Sequence, residues 1–233
     1  MLDQAFDALK SYDWGVDPKV LKPIDDAVVA THGDADARKD LETRLAAVLK
    51  AEVPRDAKDY VCRKLRIIGT AASVPTLATL LPQKEHSHMA RYALELMPAP
   101  EAGKALRDAL PNVSAELQVG VISSLGDRGD AESVGPLSAL LSAADTAVAR
   151  AAAFALGAIR TAAASQALAK AKPSAEVKSA ATDASLSCAE AMLADGKKTE
   201  ALMIYKGLSG EDQPKHVRLA ATRGMLACAG KAS

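Results

Sequence analysis

Asp145-Thr146-Ala147-Val148-Ala149-Arg150-Ala151-Ala152-Ala153-Phe154-Ala155-Leu156-Gly157 is the stretch on which the fold turns. Val148, Ala152, Ala155 and Ile159 recur at nearly the interval of one helix face. Asp145 stands where a side-chain oxygen accepts from the free amides of a first helical turn. Working outward, similar patterns end at Gly126, Met97 and Gly69, so that Gly69, Met97, Gly126 and Gly157 are separated by 28, 29 and 31 residues. An interval near 30 residues holds two short helices and their turns, the signature of a helical repeat.

The same spacing runs inside the other units. Ala57, Val61, Leu65 and Ile68 form one face, as do Leu117, Val121 and Leu125, and Val217, Ala221, Met225 and Cys228. No sustained alternation of β-branched residues argues for strands. Gly33, Gly69, Gly126, Gly157, Gly196, Gly210 and Gly230 each follow a periodic stretch and read as left-handed helix ends. Asp34, Asp130, Asp145 and Ser174 read as helix starts, and Pro75 and Pro136 sit early in short helices where a missing N–H is harmless.

The pattern therefore predicts an all-α chain, a right-handed α-solenoid of stacked antiparallel helix pairs. Helices are expected near 3–11, 18–31, 34–51, 55–68, 72–81, 86–96, 99–110, 114–125, 131–142, 145–158, 161–171, 174–195, 197–208 and 213–229. No linker divides them, so 1–233 reads as one solenoid: capping helices over 1–53, the regular array over 54–171, and longer helices over 172–233. The 233 residues include 50 alanines, which let helices approach closely on several faces while keeping the best helix propensity. A repeat cannot bury its apolar face alone, so end units must cap the array. Phe6, Tyr12 and Trp14 are expected to serve that purpose at the start.

Charge narrows the function. Lys plus Arg and Asp plus Glu are 29 each, a net charge of +0, and aromatic residues are 3%. A dedicated nucleic-acid binder needs a surplus of cations to neutralise phosphates, so no nucleic-acid partner is expected. No run reaches the roughly 18 apolar residues of a membrane span. The start Met1-Leu2-Asp3-Gln4-Ala5-Phe6-Asp7 shows no basic region followed by an apolar stretch. A cytoplasmic location is the expectation for the sequence as it stands, and an exported one if a signal segment precedes it.

The segment 145–157 resembles the second helix of a bacterial HEAT repeat, of the short class found in phycobilin-lyase-like proteins, and the resemblance extends over about 55–171. Met97-Pro98 departs from it where a Gly is expected. Residues 189–205 resemble instead one tetratricopeptide-type hairpin, and the whole chain is similar to helical modules of exported bacterial proteins that also carry a sugar-active jelly-roll domain. What the resemblance implies is a non-catalytic scaffold whose curved surface, lined by the second helices, binds a protein or an adjacent domain of a longer chain. A HEAT-like enzyme such as a DNA glycosylase or a bilin lyase is the alternative. A glycosylase needs a basic channel and aromatics to hold an extruded nucleotide, which a net charge of +0 and a single Trp do not suggest.

Four arginines are candidate partner-binding residues. Arg63, Arg91 and Arg218 lie six residues before Gly69, Met97 and Gly224, and Arg150 lies seven before Gly157, so a regular stack would place their guanidiniums in a row. Such planar forks of donors receive carboxylates or phosphates. The competing reading is internal bracing, with Asp59 and Asp145 one turn upstream holding Arg63 and Arg150. No catalytic residue, cofactor or metal is expected. His86 and His88 lack a third strong ligand nearby. Cys62, Cys188 and Cys228 read as small buried thiols. Asp25 and Asp26 diverge by about 100° on a helix and do not form an acid/base pair. Arg128-Gly129-Asp130, a cell-adhesion tripeptide elsewhere, reads here as a connection with Asp130 starting the next helix.

Overall fold

Apolar residues at helical spacing, with few β-branched runs, leave the chain one way to bury its core, and a computed structural model shows it. Residues 1–230 are described. Among them are fourteen α-helices and no strand. The first four are α1 (Leu2–Leu9), α2 (Lys22–Ala30), α3 (Ala35–Leu49) and α4 (Arg55–Ile68). Next come α5 (Val74–Ala78), α6 (Ser87–Leu96), α7 (Pro100–Ala109), α8 (Ala115–Asp127) and α9 (Val134–Leu140). The last five are α10 (Thr146–Ile159), α11 (Ala162–Lys170), α12 (Ala175–Ala194), α13 (Lys198–Leu208) and α14 (Lys215–Cys228).

Contacts group the chain into two units, Met1–Ser124 and Leu125–Ser233, with the division falling inside α8. In the first unit α3 packs on α4 and α4 on α6, while α5 packs on α7, so alternate helices form two rows. The second unit repeats the scheme, α10 against α12 and α9 against α11. This is the layered packing of a helical repeat solenoid. At the far end α12, α13 and α14 enclose Ala189, Met192, Ala201, Tyr205 and Ala221.

Proline accounts for three departures from the expected helices. Residues 18–31 split into a 3₁₀ turn, Pro18–Leu21, and α2, because Pro23 has no N–H to continue an α-ladder. Residues 131–142 likewise open with a 3₁₀ turn, Ala131–Ser133, and the α-helix starts only at Val134, so that Pro136, which has no N–H to donate, falls in its first turn. The helix expected over 72–81 closes at Ala78, and Leu80, Leu81 and Gln83 instead donate to the carbonyls three residues back, around Pro82.

The repeat glycines do something other than end helices. Gly33, Gly196 and Gly230 take the expected positive φ, but Gly126 and Gly157 lie within α8 and α10, and Gly69 is extended. A Cβ on Gly126 would sit 2.8 Å from Ala155 Cα, and one on Gly157 the same 2.8 Å from Ala184 Cα. These glycines let neighbouring helices approach backbone to backbone. Gly69 shows the complementary case, since a Cβ there would meet Met97 Cε at 2.5 Å. Met97, out of place as a repeat glycine, is buried and fills the space that Gly69 leaves. The left-handed end of α10 falls to Arg160, with φ 55°.

The expected N-terminal cap is only partly correct. Tyr12 packs its ring 6.2 Å from that of Tyr60, and Phe6 lies under the Arg44 guanidinium at 4.1 Å. Trp14 does neither, being 92% exposed. It occupies the tip of a turn in which Val16 N–H donates to Asp13 C=O and Gly15 has φ 89°, so its side chain leaves the body of the unit.

Asp34, Asp145 and Thr161 cap α3, α10 and α11 by accepting from first-turn amides. Asp130 and Ser174 begin helices without doing so: the Asp130 carboxylate accepts from Ser133 Oγ, and the Ser174 hydroxyl serves the Glu176 carboxylate. Cys62 and Cys188 are buried, and burial pushes their thiols up to about 12 and about 11, Asp59 adding to the first and Arg160 opposing the second. Cys228 is half-buried. The thiolate is the nucleophile, so a thiol-specific chromogenic reagent should modify Cys228 in the native protein and reach Cys62 and Cys188 only after denaturant is added.

Candidate binding face

α4 turns Arg55, Asp59, Arg63 and Ile67 outward at intervals of one turn, because Ala57, Val61, Cys62, Leu65 and Ile68 take its opposite side into the core. α6, packed beside it, exposes His88 and Leu96 with Tyr92 half-buried between them. Together Arg55, Asp59, Arg63, His88, Met89 and Tyr92 line a recess of about 370 Å³. Inside it Arg63 pairs with Asp59 one turn upstream, and the Arg55 guanidinium lies 3.6 Å from Asp56. The Arg66 guanidinium stacks 4.0 Å from the Tyr92 ring centre while Nη1 donates to the Tyr92 hydroxyl. In the last turns of the same helices, Ile67 and Leu96 are 63% and 61% exposed.

The four candidate arginines have four different surroundings. Arg63 opens onto the recess. Arg91 is turned away, donating from Nη1 to Gly120 C=O at 3.0 Å and to Ser124 Oγ at 3.2 Å, with its guanidinium in the space a Gly120 Cβ would take. Burial lowers its affinity for the proton, and Glu95 opposes that shift. In the second unit Arg150 donates to Glu176 C=O at 3.3 Å; Asp145 is occupied as the α10 cap and does not hold it. Arg218, on α14, has a buried Nε with no hydrogen-bond partner. The outward positions of α4 and α6 are offset by 29 residues, Asp59 with His88, Arg63 with Tyr92 and Ile67 with Leu96. Arg63 and Arg91 are 28 apart. One residue rotates a side chain about 100°, which is why Tyr92 rather than Arg91 stands beside Arg63.

The remaining sequence candidates are engaged locally. His86 Nδ1 lies 2.9 Å from Gln83 Oε1, and His88 Nδ1 lies 3.4 Å from Arg91 Nη2. Among the described residues no three His, Cys, Asp or Glu side chains are gathered to hold a metal ion, and no helix is long and apolar enough to cross a membrane. Asp25 and Asp26 diverge as expected, Asp26 to Lys22 at 2.6 Å and Asp25 to Lys64 at 2.6 Å and to the Tyr60 hydroxyl at 2.7 Å. Burial pulls the Asp25 carboxyl up, but hydrogen bonds from Lys64 and Tyr60 and the charges of Lys64 and Lys22 outweigh it, so it titrates below the usual carboxylate range. A lowered carboxylate contributes stability that is present above its unfolded value and lost as pH falls through its folded one. Asp25→Asn should therefore be less stable than the wild type at neutral pH, and thermal midpoints of the two should converge in acid.

Residues 103–185 match a family model, that of HEAT repeats. This segment, α7 through the first half of α12, is the part of the chain where Gly126 and Gly157 admit their neighbours. No curated protein gives a significant match. Among solved structures, the crystal structure of an engineered protein from a structural genomics consortium is 21% identical, with 98% of this chain and 68% of that chain covered and a TM-score of 0.46.

Proposed function

We propose that this chain is a non-catalytic HEAT-repeat scaffold that binds another protein, or an adjacent domain of a longer chain, through the outward face of α4 and α6. The observation that carries the reading is the pair Ile67 and Leu96, large aliphatic side chains left 63% and 61% exposed in the last turns of two packed helices, directly beyond a charged recess. A solenoid needs no aliphatic residue at an outward position for its own stability, since its core is the stack. An apolar centre with a polar border is the composition of a protein interface. Burying either side chain fully against a partner contributes about 1.5–3 kcal/mol.

The test is a paired substitution, Ile67→Asp with Leu96→Asp, expressed in cells that contain the natural partner. Both positions are outward, so the thermal midpoint of the purified variant should stay close to that of the wild type. Sedimentation of gently lysed cells should show the wild-type chain in a larger complex and the variant shifted to its own mass. An unchanged sedimentation profile for a folded variant would refute the proposal.

A further inference from the structure

We propose that the segment received by the α4–α6 face is an acidic peptide with an apolar end, its carboxylates entering the recess at Arg55, Arg63 and His88 and its apolar side chains covering Ile67 and Leu96. This rests on the scaffold reading above and specifies the chemistry of the partner.

Three observations point the same way. First, the chain as a whole is neutral, yet the recess is lined by two guanidiniums and an imidazole, Arg55, Arg63 and His88, against the single carboxylate of Asp59. Second, both helices begin at the recess without a side-chain cap, α4 after Pro54 with Asp56 in its first turn and α6 after His86 with its Ser87 N–H given to Gln83 C=O, so the positive ends of two helices of 14 and 10 residues add to the cations there. The local field is felt by His86, whose imidazole is held below its usual range by burial and then by Lys58 and Arg55, against Glu85. Third, the Arg63 side of the Arg63–Asp59 pair is open to solvent, 63% exposed, while Asp59 is half-buried. Asp59 takes one bond from Arg63 Nη2, so the exposed guanidinium keeps further donors of its planar fork for a partner carboxylate.

Geometry sets the length. Arg55 and Ile67 are twelve residues apart on one helix, about 18 Å, a distance that five or six residues of extended chain cover at about 3.3 Å each. A peptide is favoured over a nucleic acid because the aromatic ring at the recess, Tyr92, is already stacked by Arg66 and not offered to a base. The aliphatic pair also has no counterpart in a phosphate backbone.

Fluorescence anisotropy on the full chain decides the matter, using short labelled peptides with leucines at one end and glutamates at the other, in both orders. A lysine-for-glutamate version and a single-stranded oligonucleotide complete the set. One order of the acidic peptide should bind, more weakly as salt rises. Arg63→Glu and Ile67→Asp, each with an unchanged circular dichroism spectrum and thermal midpoint, should each reduce its affinity about tenfold. Equal binding of the lysine peptide, preference for the oligonucleotide, binding indifferent to both substitutions, or no binding in either order would each overturn the proposal. If the paired Ile67 and Leu96 substitution still releases the chain from its cellular complex, the docking face stands and only the acidic identity of its ligand falls.

Discussion

Gly157→Val is expected to lower the stability of the protein by about 3 kcal/mol, at the upper end of what overpacking costs. A side chain at Gly157 in α10 starts 2.8 Å from Ala184 Cα and 2.9 Å from Ala184 Cβ in α12. These atoms are backbone and the stub of a helix residue, so no rotamer change relieves the clash and the two helices must separate. Helix propensity works in the other direction, by up to about 1 kcal/mol for leaving glycine, and does not offset a broken helix contact. Gly135 supplies the contrast: it lies in α9 with open space around it and an ordinary backbone, so Gly135→Ala should be neutral or slightly stabilising. Urea denaturation of the two variants beside the wild type measures both effects. A Gly157→Val protein with a wild-type midpoint would mean that α10 and α12 are not in backbone contact.

Glu42→Ala is the second large effect, about 3 kcal/mol. Glu42 is 2% exposed in α3, and its carboxylate accepts from Thr70 N–H at 2.6 Å, from Thr70 Oγ1 at 2.8 Å and from Ser73 N–H at 3.2 Å. One turn earlier, Arg38 Nε donates to Ile68 C=O at 2.7 Å. Two side chains of α3 thus hold the turn between α4 and α5 by both its acceptor and its donors. Hydrogen bonds to a charged group contribute about 1.5–3 kcal/mol each, and truncation also leaves Ser73, 0% exposed, with a weakened amide contact. Glu42→Gln keeps one oxygen and the same shape, so its loss should be smaller, and the order wild type, Glu42→Gln, Glu42→Ala should hold in denaturant midpoints. If alanine and glutamine cost the same small amount, Glu42 is not the clasp.

Much of this architecture is written in local spacing. The face Ala57, Val61, Leu65 and Ile68 recurs as the buried side of α4, whose ends match the expected 55–68, because burial at helical intervals is a property of neighbouring residues. The absence of alternating β-branched runs likewise points to an all-helical chain. Other features depend on how elements meet, and spacing does not record that. A glycine that ends a helix and one that admits a neighbouring backbone look alike in a sequence, so Gly126 and Gly157 read as ends although they lie within helices. Trp14 reads as core by its size, but a turn with Gly15 at positive φ carries it outward. Glu42 and Thr70 are 28 residues apart with no pattern joining them. In the candidate face, the sequence marks Arg63 as a repeated position, whereas nothing in it sets Tyr92, His88, Ile67 and Leu96 together on one surface. A one-residue change in repeat length rotates Arg91 out and Tyr92 in, and only packed helices show it.

The outward side of α4 and α6 is the surface through which the molecule is proposed to meet its partner. A photo-reactive amino acid placed at Ile67, and separately at Lys104 on α7, in cells irradiated before lysis, tests this most directly. Position 67 should give a discrete heavier adduct that disappears when Arg63→Glu is added, and position 104 should give none. Adducts from 104 but not 67 would contradict the account, as would a chain that remains uncoupled from both positions.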